Sequence, residues 1–178
     1  AQLDVTHAGA TGQIQLEKAA YRSGEPVKGF IRVNQPGRDI QLRIRHHDHF
    51  GRSLEELTLS APSAQRVSVL GLGGSVATPP EGIAAEVLVV QSFEELKPGT
   101  ARNKIVLFAP PFVSYESAVP FRLLGAVKAA EAGAKAALLR SLTPQSLGTP
   151  HTGVMTYKEG VARIPFAAVS TEDADRML

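Results

Sequence analysis

Cysteine is absent from all 178 residues. The chain therefore forms no disulfide, has no thiol nucleophile and builds none of the thiolate metal sites. Tryptophan is missing too and aromatics make up only 6%, so the core must come from Val, Leu, Ile and Ala. A sugar-stacking platform would have little to draw on. No apolar run reaches the roughly 20 residues of a membrane-spanning helix, and a membrane is not an expected partner. An excess of one charge sign is lacking as well. The 19 basic and 17 acidic residues are interspersed and leave a net +2, so no basic face is implied and nucleic acid is not an expected partner. The opening AQLDV has no charged-then-apolar leader, so any signal peptide is expected to have been removed or never to have existed.

What remains is globular in composition, 43% hydrophobic and 20% charged. Its two halves differ in texture. Over 12–60, apolar residues recur at every second position, as in DIQLRIRH, where Ile40, Leu42 and Ile44 share one face. Turn chemistry separates these runs: RSGEP at 22–26, NQPGRD at 34–39 and DHFGR at 48–52. Short alternating strands at such spacing predict a β-sandwich-like piece over 1–62, incomplete because a whole sandwich takes roughly 100 residues. The pattern YRSGEPVKGFIRV, followed by LRIRHHDHFGR, resembles immunoglobulin-like or macroglobulin-like modules of secreted bacterial proteins.

From about residue 66 the apolar runs become continuous: RVSVLGL, AAEVLVV and NKIVLFA read as strands covered on both faces. A helix is predicted over 117–132, with Pro120 in its first turn, Leu123, Leu124, Val127 and Ala130 as its apolar stripe, and Gly133 as its stop. AKAALLR then returns as a strand, completing a β-α-β unit. IPFAAVS is a further strand, and Ser170 with Asp173 opens a second helix in the manner of a capping box. The polar stretch SAPSAQ at 60–65 is the expected boundary between the halves.

Five ordered segments of the second half, VLGLGGSVATPPEGIAAEVLVVQSFEEL, NKIVLFAPPFVSY, GAVKAAEAGAKAALLRS, TPHTG and IPFAAVSTEDADRM, resemble the protease-associated domain of carboxypeptidase Q-like zinc metallopeptidases. The resemblance implies an α/β protease-associated domain over 66–178, lacking its last strand. It also implies an accessory role beside a catalytic domain that holds the zinc ligands. Those ligands lie downstream of this region in the family, so zinc is not an expected cofactor of this chain.

The side chains that invite chemistry are few. GLGGS at 71–75 lacks the third glycine of a dinucleotide turn and the Gly-Lys-Ser/Thr of a phosphate loop, and reads as a structural turn. Glu94 with Glu95, and Glu55 with Glu56, are adjacent and point apart on strand or helix, so they read as solvated faces. In RIRHHDHFGR, continued alternation turns His46 and Asp48 inward and His47 and His49 outward. The last two have metal-ligand spacing but lack a third and fourth ligand, and the stretch reads as a hairpin turn. His151 is the one histidine of the second half. The resemblance implies that its loop, with Thr152, faces a catalytic cleft.

The sequence thus predicts a mixed α+β chain with no catalytic residue of its own, secreted or periplasmic. As a non-catalytic accessory region of a zinc metallopeptidase, it would partner the catalytic peptidase domain or its peptide substrate. Homo-oligomers through exposed strand edges are also expected. The alternatives are a recombined or engineered two-segment scaffold and an extracellular binding module.

Overall fold

The structure, a computed structural model, describes residues 2–7, 10–16, 29–34, 39–45, 54–59 and 65–178, with backbone pairing alone before residue 56. Two compact units emerge, Ala1–Gly37 and Arg38–Leu178. In the first, β1 (Gln2–His7), β2 (Ala10–Leu16) and β3 (Gly29–Asn34) pair antiparallel in that order. Leu3 stands opposite Ile14 and Ile14 opposite Ile31. Apolar positions are thus in register across three strands, as a period of two requires.

The second unit is built on one eight-stranded mixed sheet. Its strands are β4 (Asp39–Arg45), β5 (Leu54–Leu59), β6 (Gln65–Val67), β7 (Val69–Gly71), β8 (Ile83–Val90), β9 (Ile105–Phe108), β10 (Ala136–Arg140) and β11 (Phe166–Val169). They lie in the order β6-β5-β4-β8-β9-β10-β11-β7. β8, β9, β10 and β11 are mutually parallel, and the flanking pairs are antiparallel. Two α-helices complete the described residues, α1 (Tyr115–Glu131) and α2 (Thr171–Met177).

The division therefore falls at 37/38 and not within 60–65. β4 and β5, which alternation assigned to a separate sandwich-like piece, are ladder partners of β8 and β6. Alternation reports that one face of a strand is buried; it says nothing about which sheet supplies the neighbouring backbone. The run 66–72, expected as one strand, is also two. β6 and β7 stand at opposite ends of the strand order although only Ser68 separates them, and β5 lies against β7 as well. The sheet curls until its ends meet, with no long edge left between them.

Curling creates two cores. Ile105 and Leu107 of β9, Leu138 of β10 and Ala167 and Val169 of β11 face inward with Leu57, Leu59, Val67, Val69, Ala174 and Met177. The alternate residues Val106, Phe108, Ala137, Leu139, Phe166 and Ala168 face outward and are covered by α1. All residues of β9 and β11 are buried, which is why these strands read as continuous apolar runs.

α1 departs from expectation at both its start and its face. Ser114 caps it, accepting from the Ser117 N–H at 3.2 Å, so it begins two residues early and Pro120 lies in the second turn. Its buried face is made of Ala118, Gly125, Ala126, Val127 and Ala129, while Leu124 is exposed. The aromatic rings beneath decide this. A Cβ on Gly125 would come within 2.7 Å of Phe166 Cζ and 3.0 Å of Phe108 Cε2, so only small residues let the helix close on the sheet. No helix among the described residues is long and apolar enough to cross a membrane.

Candidate functional site

The segments GLGGS and TPHTG, 78 residues apart at their first positions by numbering (71 and 149), run side by side. The Gly73 N–H donates to the Gly153 carbonyl at 2.8 Å, and the Met155 N–H donates to the Gly73 carbonyl at 3.0 Å. Thr152 closes the seam, its hydroxyl donating to the Gly71 carbonyl at 2.9 Å. The Leu72, Gly73, Ser75 and Val76 N–H groups of this turn are engaged inside the protein, Leu72 donating to the Phe166 carbonyl at 3.0 Å. Ser75 donates to the Leu72 carbonyl at 2.9 Å and Val76 to the Tyr157 hydroxyl at 3.0 Å. The glycine-rich turn is the continuation of β7, with Gly74 at φ +91° making the bend.

Polar contacts hold the loop after β10. Ser141, 1% exposed, donates its hydroxyl to the Val169 carbonyl at 2.7 Å and accepts the His151 N–H at 2.8 Å. One hydroxyl thus ties the loop to the end of β11. A second anchor is Glu172, in the first turn of α2. It accepts the Ser146 N–H at 3.3 Å, the Leu147 N–H at 3.0 Å, the Gly148 N–H at 3.1 Å and the Ser146 hydroxyl at 2.8 Å. Three consecutive N–H groups converging on one carboxylate form a backbone nest. Its own backbone N–H holds the Glu172 carboxyl far below the usual carboxylate range, against the opposing effect of burial. Gly148 and Ser146 lower it further. The nest is shaped by Leu147 at φ 51° and Gly148 at φ 72°. The Leu147 side chain is 89% exposed, so no packing offsets its left-handed backbone.

Arg122 of α1 meets the same loop from the helix side. Its guanidinium donates from Nη1 to the Tyr115 hydroxyl at 2.9 Å and lies 5.5 Å from that ring's centroid. It also lies directly against Gly153, where a Cβ would stand 2.9 Å from both Cζ and Nη1. The buried Arg122 Nε has no hydrogen-bond acceptor among the described residues. Next to this contact in the chain, Val154 is 66% exposed.

His151 and Thr152 accordingly lie on a built seam, with the His151 residue exposed and its backbone fixed by Ser141. His47 and His49 lie outside the described residues. Among the described residues, no group of three or more His, Asp or Glu side chains stands where it could hold a metal ion, so a zinc site does not fit them. Glu94 is exposed, while Glu95 caps its own short 3-10 helix, accepting from the Gln91 and Ser92 N–H groups at 2.9 Å each. Three residues that matter here escaped the sequence reading: Ser141, Glu172 and Arg122. A lone arginine on an amphipathic helix carries no local signal of a contact with a distant glycine. The partners of Glu172 are 24 to 26 residues away, beyond the reach of any local pattern.

No family model matches the chain. Among curated proteins it is 46% identical over 169 residues to carboxypeptidase Q of Bos taurus, covering 94% of this chain and 35% of the relative. It is 47% identical over 141 residues to carboxypeptidase Q of Pongo abelii, covering 78% and 30%. The crystal structure of a peptidase M28 precursor from Shewanella amazonensis superposes with a TM-score of 0.67 at 30% identity, over 80% of this chain and 33% of that one. This chain carries a carboxypeptidase Q-like region. It spans about a third of the length of the curated relatives it matches. The mixed sheet and two helices of the carboxypeptidase Q-like region are consistent with a peptidase M28-like fold.

Proposed function

We propose that the carboxypeptidase Q-like region is a non-catalytic, protease-associated part of a secreted or periplasmic zinc metallopeptidase, in which the 149–153 loop borders the path of peptide substrate. The observation that carries this reading is the pairing of 46% identity with coverage of only 35% of the relative. The preserved third consists, over its described part, of close-packed strands and a hydrogen-bonded loop. Its partner is then the catalytic part of such a peptidase, and His151 and Thr152 line the approach instead of reacting. Purified chain incubated with dipeptides and zinc should give no hydrolysis above the metal-free background. Zinc-dependent turnover that a chelator abolishes would overturn the reading.

Two unrelated segments joined near 61–66 form the weaker alternative, because the bovine alignment covers 94% of the chain and so runs through that stretch in a single relative. Association of copies through strand edges has little to use in the eight-stranded sheet, whose end strands β6 and β7 are consecutive in sequence.

A further inference from the structure

Arg122 is a cation held against both Tyr115 and Gly153 and left short of acceptors among the described residues. Its only hydrogen bond among the described residues goes to the Tyr115 hydroxyl at 2.9 Å. No described Asp or Glu lies within ion-pair distance of it, a state it shares with Lys97, Arg102, Lys135 and Arg163 among the described residues; what sets it apart is its contact with Tyr115 and Gly153. A guanidinium offers five N–H donors in a planar fork matched to a carboxylate. Among the described residues this one uses a single donor, and its Nε is buried without an acceptor. A partly buried cation in that state is costly unless something completes its hydrogen bonding.

The surroundings specify what completes it. The guanidinium lies over the Tyr115 ring and close against Gly153, which restrict the fork before any ligand arrives. Tyr115 and Val154 are 49% and 66% exposed. These apolar surfaces next to an arginine suit a group that combines a carboxylate with apolar side chains. We propose that Arg122 is the carboxylate anchor of a peptide-binding surface formed with Tyr115, Gly153 and Val154. The choice of a peptide rests on the peptidase reading above; the demand for a carboxylate comes from the arginine itself. A peptide's C-terminal carboxylate and an Asp or Glu side chain both supply that chemistry.

The test is an NMR titration of the purified chain with three probes: acetyl-alanyl-leucine as the free acid, the same compound as its amide, and acetyl-glutamate amide. The free acid should perturb Tyr115, Arg122, Gly153 and Val154 and bind about tenfold or more tightly than its amide. Whichever acid binds more tightly identifies the source. Arg122→Lys keeps the charge and loses the fork, and should weaken binding about tenfold. Gly153→Ala puts a methyl group against Arg122 Cδ, Cζ and Nη1, forces that side chain to shift, and should weaken binding. Three results overturn the proposal. They are equal affinity for acid and amide, wild-type binding by either variant, and no perturbation at these residues up to roughly 10 mM peptide, where even millimolar affinity saturates. The dipeptide-hydrolysis assay judges the accessory role independently, because binding can fail in a chain that remains inert toward dipeptides.

Discussion

The parallel centre of the sheet and the seam beside it are ordered by opposite means. In β9 and β11 every residue is buried and the side chains carry no polar atom, so order follows from apolar area and volume. Along 141–155, order follows from particular atoms: the Ser141 hydroxyl, the Glu172 carboxylate and the Thr152 hydroxyl. Burial is nondirectional and tolerates substitutions that conserve volume. A hydrogen-bonded seam tolerates few substitutions at its anchors, and it is sensitive to pH where an anchor titrates. The first region makes a rigid scaffold; the second presents exposed side chains from that scaffold in fixed positions, the arrangement expected of a binding loop.

Three experiments bear on this contrast. The largest effect belongs to the centre. Phe166 is fully buried and its ring contacts Phe108 edge-on at 6.2 Å between centroids. Phe166→Ala should cost about 3–5 kcal/mol in denaturant unfolding, and a loss below 1 kcal/mol would show that the helix–sheet core is not what orders the unit. The seam should respond less and locally. Ser141→Ala leaves the His151 N–H without its acceptor, and should cost about 1–3 kcal/mol. Amide exchange should accelerate most at His151, and an effect spread evenly over β9 and β10 would erase the distinction between the regions.

The smallest global effect, and the sharpest local one, concerns Glu172. Its carboxyl is depressed in the folded state, so its stabilising contribution is fully present above the ordinary carboxyl pKa of about 4.3 and is lost as pH falls below that range toward the lowered value. Protection of the Ser146, Leu147 and Gly148 amides should hold from neutral pH down to about 5 and decline only in stronger acid. Glu172→Gln should lower that protection at neutral pH and remove its acid dependence, with the sheet unchanged. Identical profiles in both proteins would mean that the nest is held by Thr171 and Ser146 alone.

Much of the fold was legible in the residues. β8 to β11 stand where continuous apolar runs predicted them, and Ser170 caps α2 with its hydroxyl accepting the Asp173 N–H at 3.0 Å. Less was legible about how these elements combine. The stripe chosen for α1 favoured leucines, whereas the rings of Phe108 and Phe166 admit only small residues at the contact. Of the candidate site, the 149–153 loop was legible as a polar segment with a lone histidine, and its anchors were not.

By itself, then, the sequence determined the strands, the helices and the absence of thiol chemistry, because hydrophobic period, caps and composition are local properties of the chain. Tertiary structure alone decided that β4 and β5 join the parallel strands and that residues 66–72 split to close the sheet. It also decided that Arg122, Gly153, Ser141 and Glu172 meet along one seam. The physical reason is that each of these depends on which distant backbone or ring occupies the neighbouring space, and a hydrogen bond spanning 24 to 26 residues leaves no periodic trace in the chain.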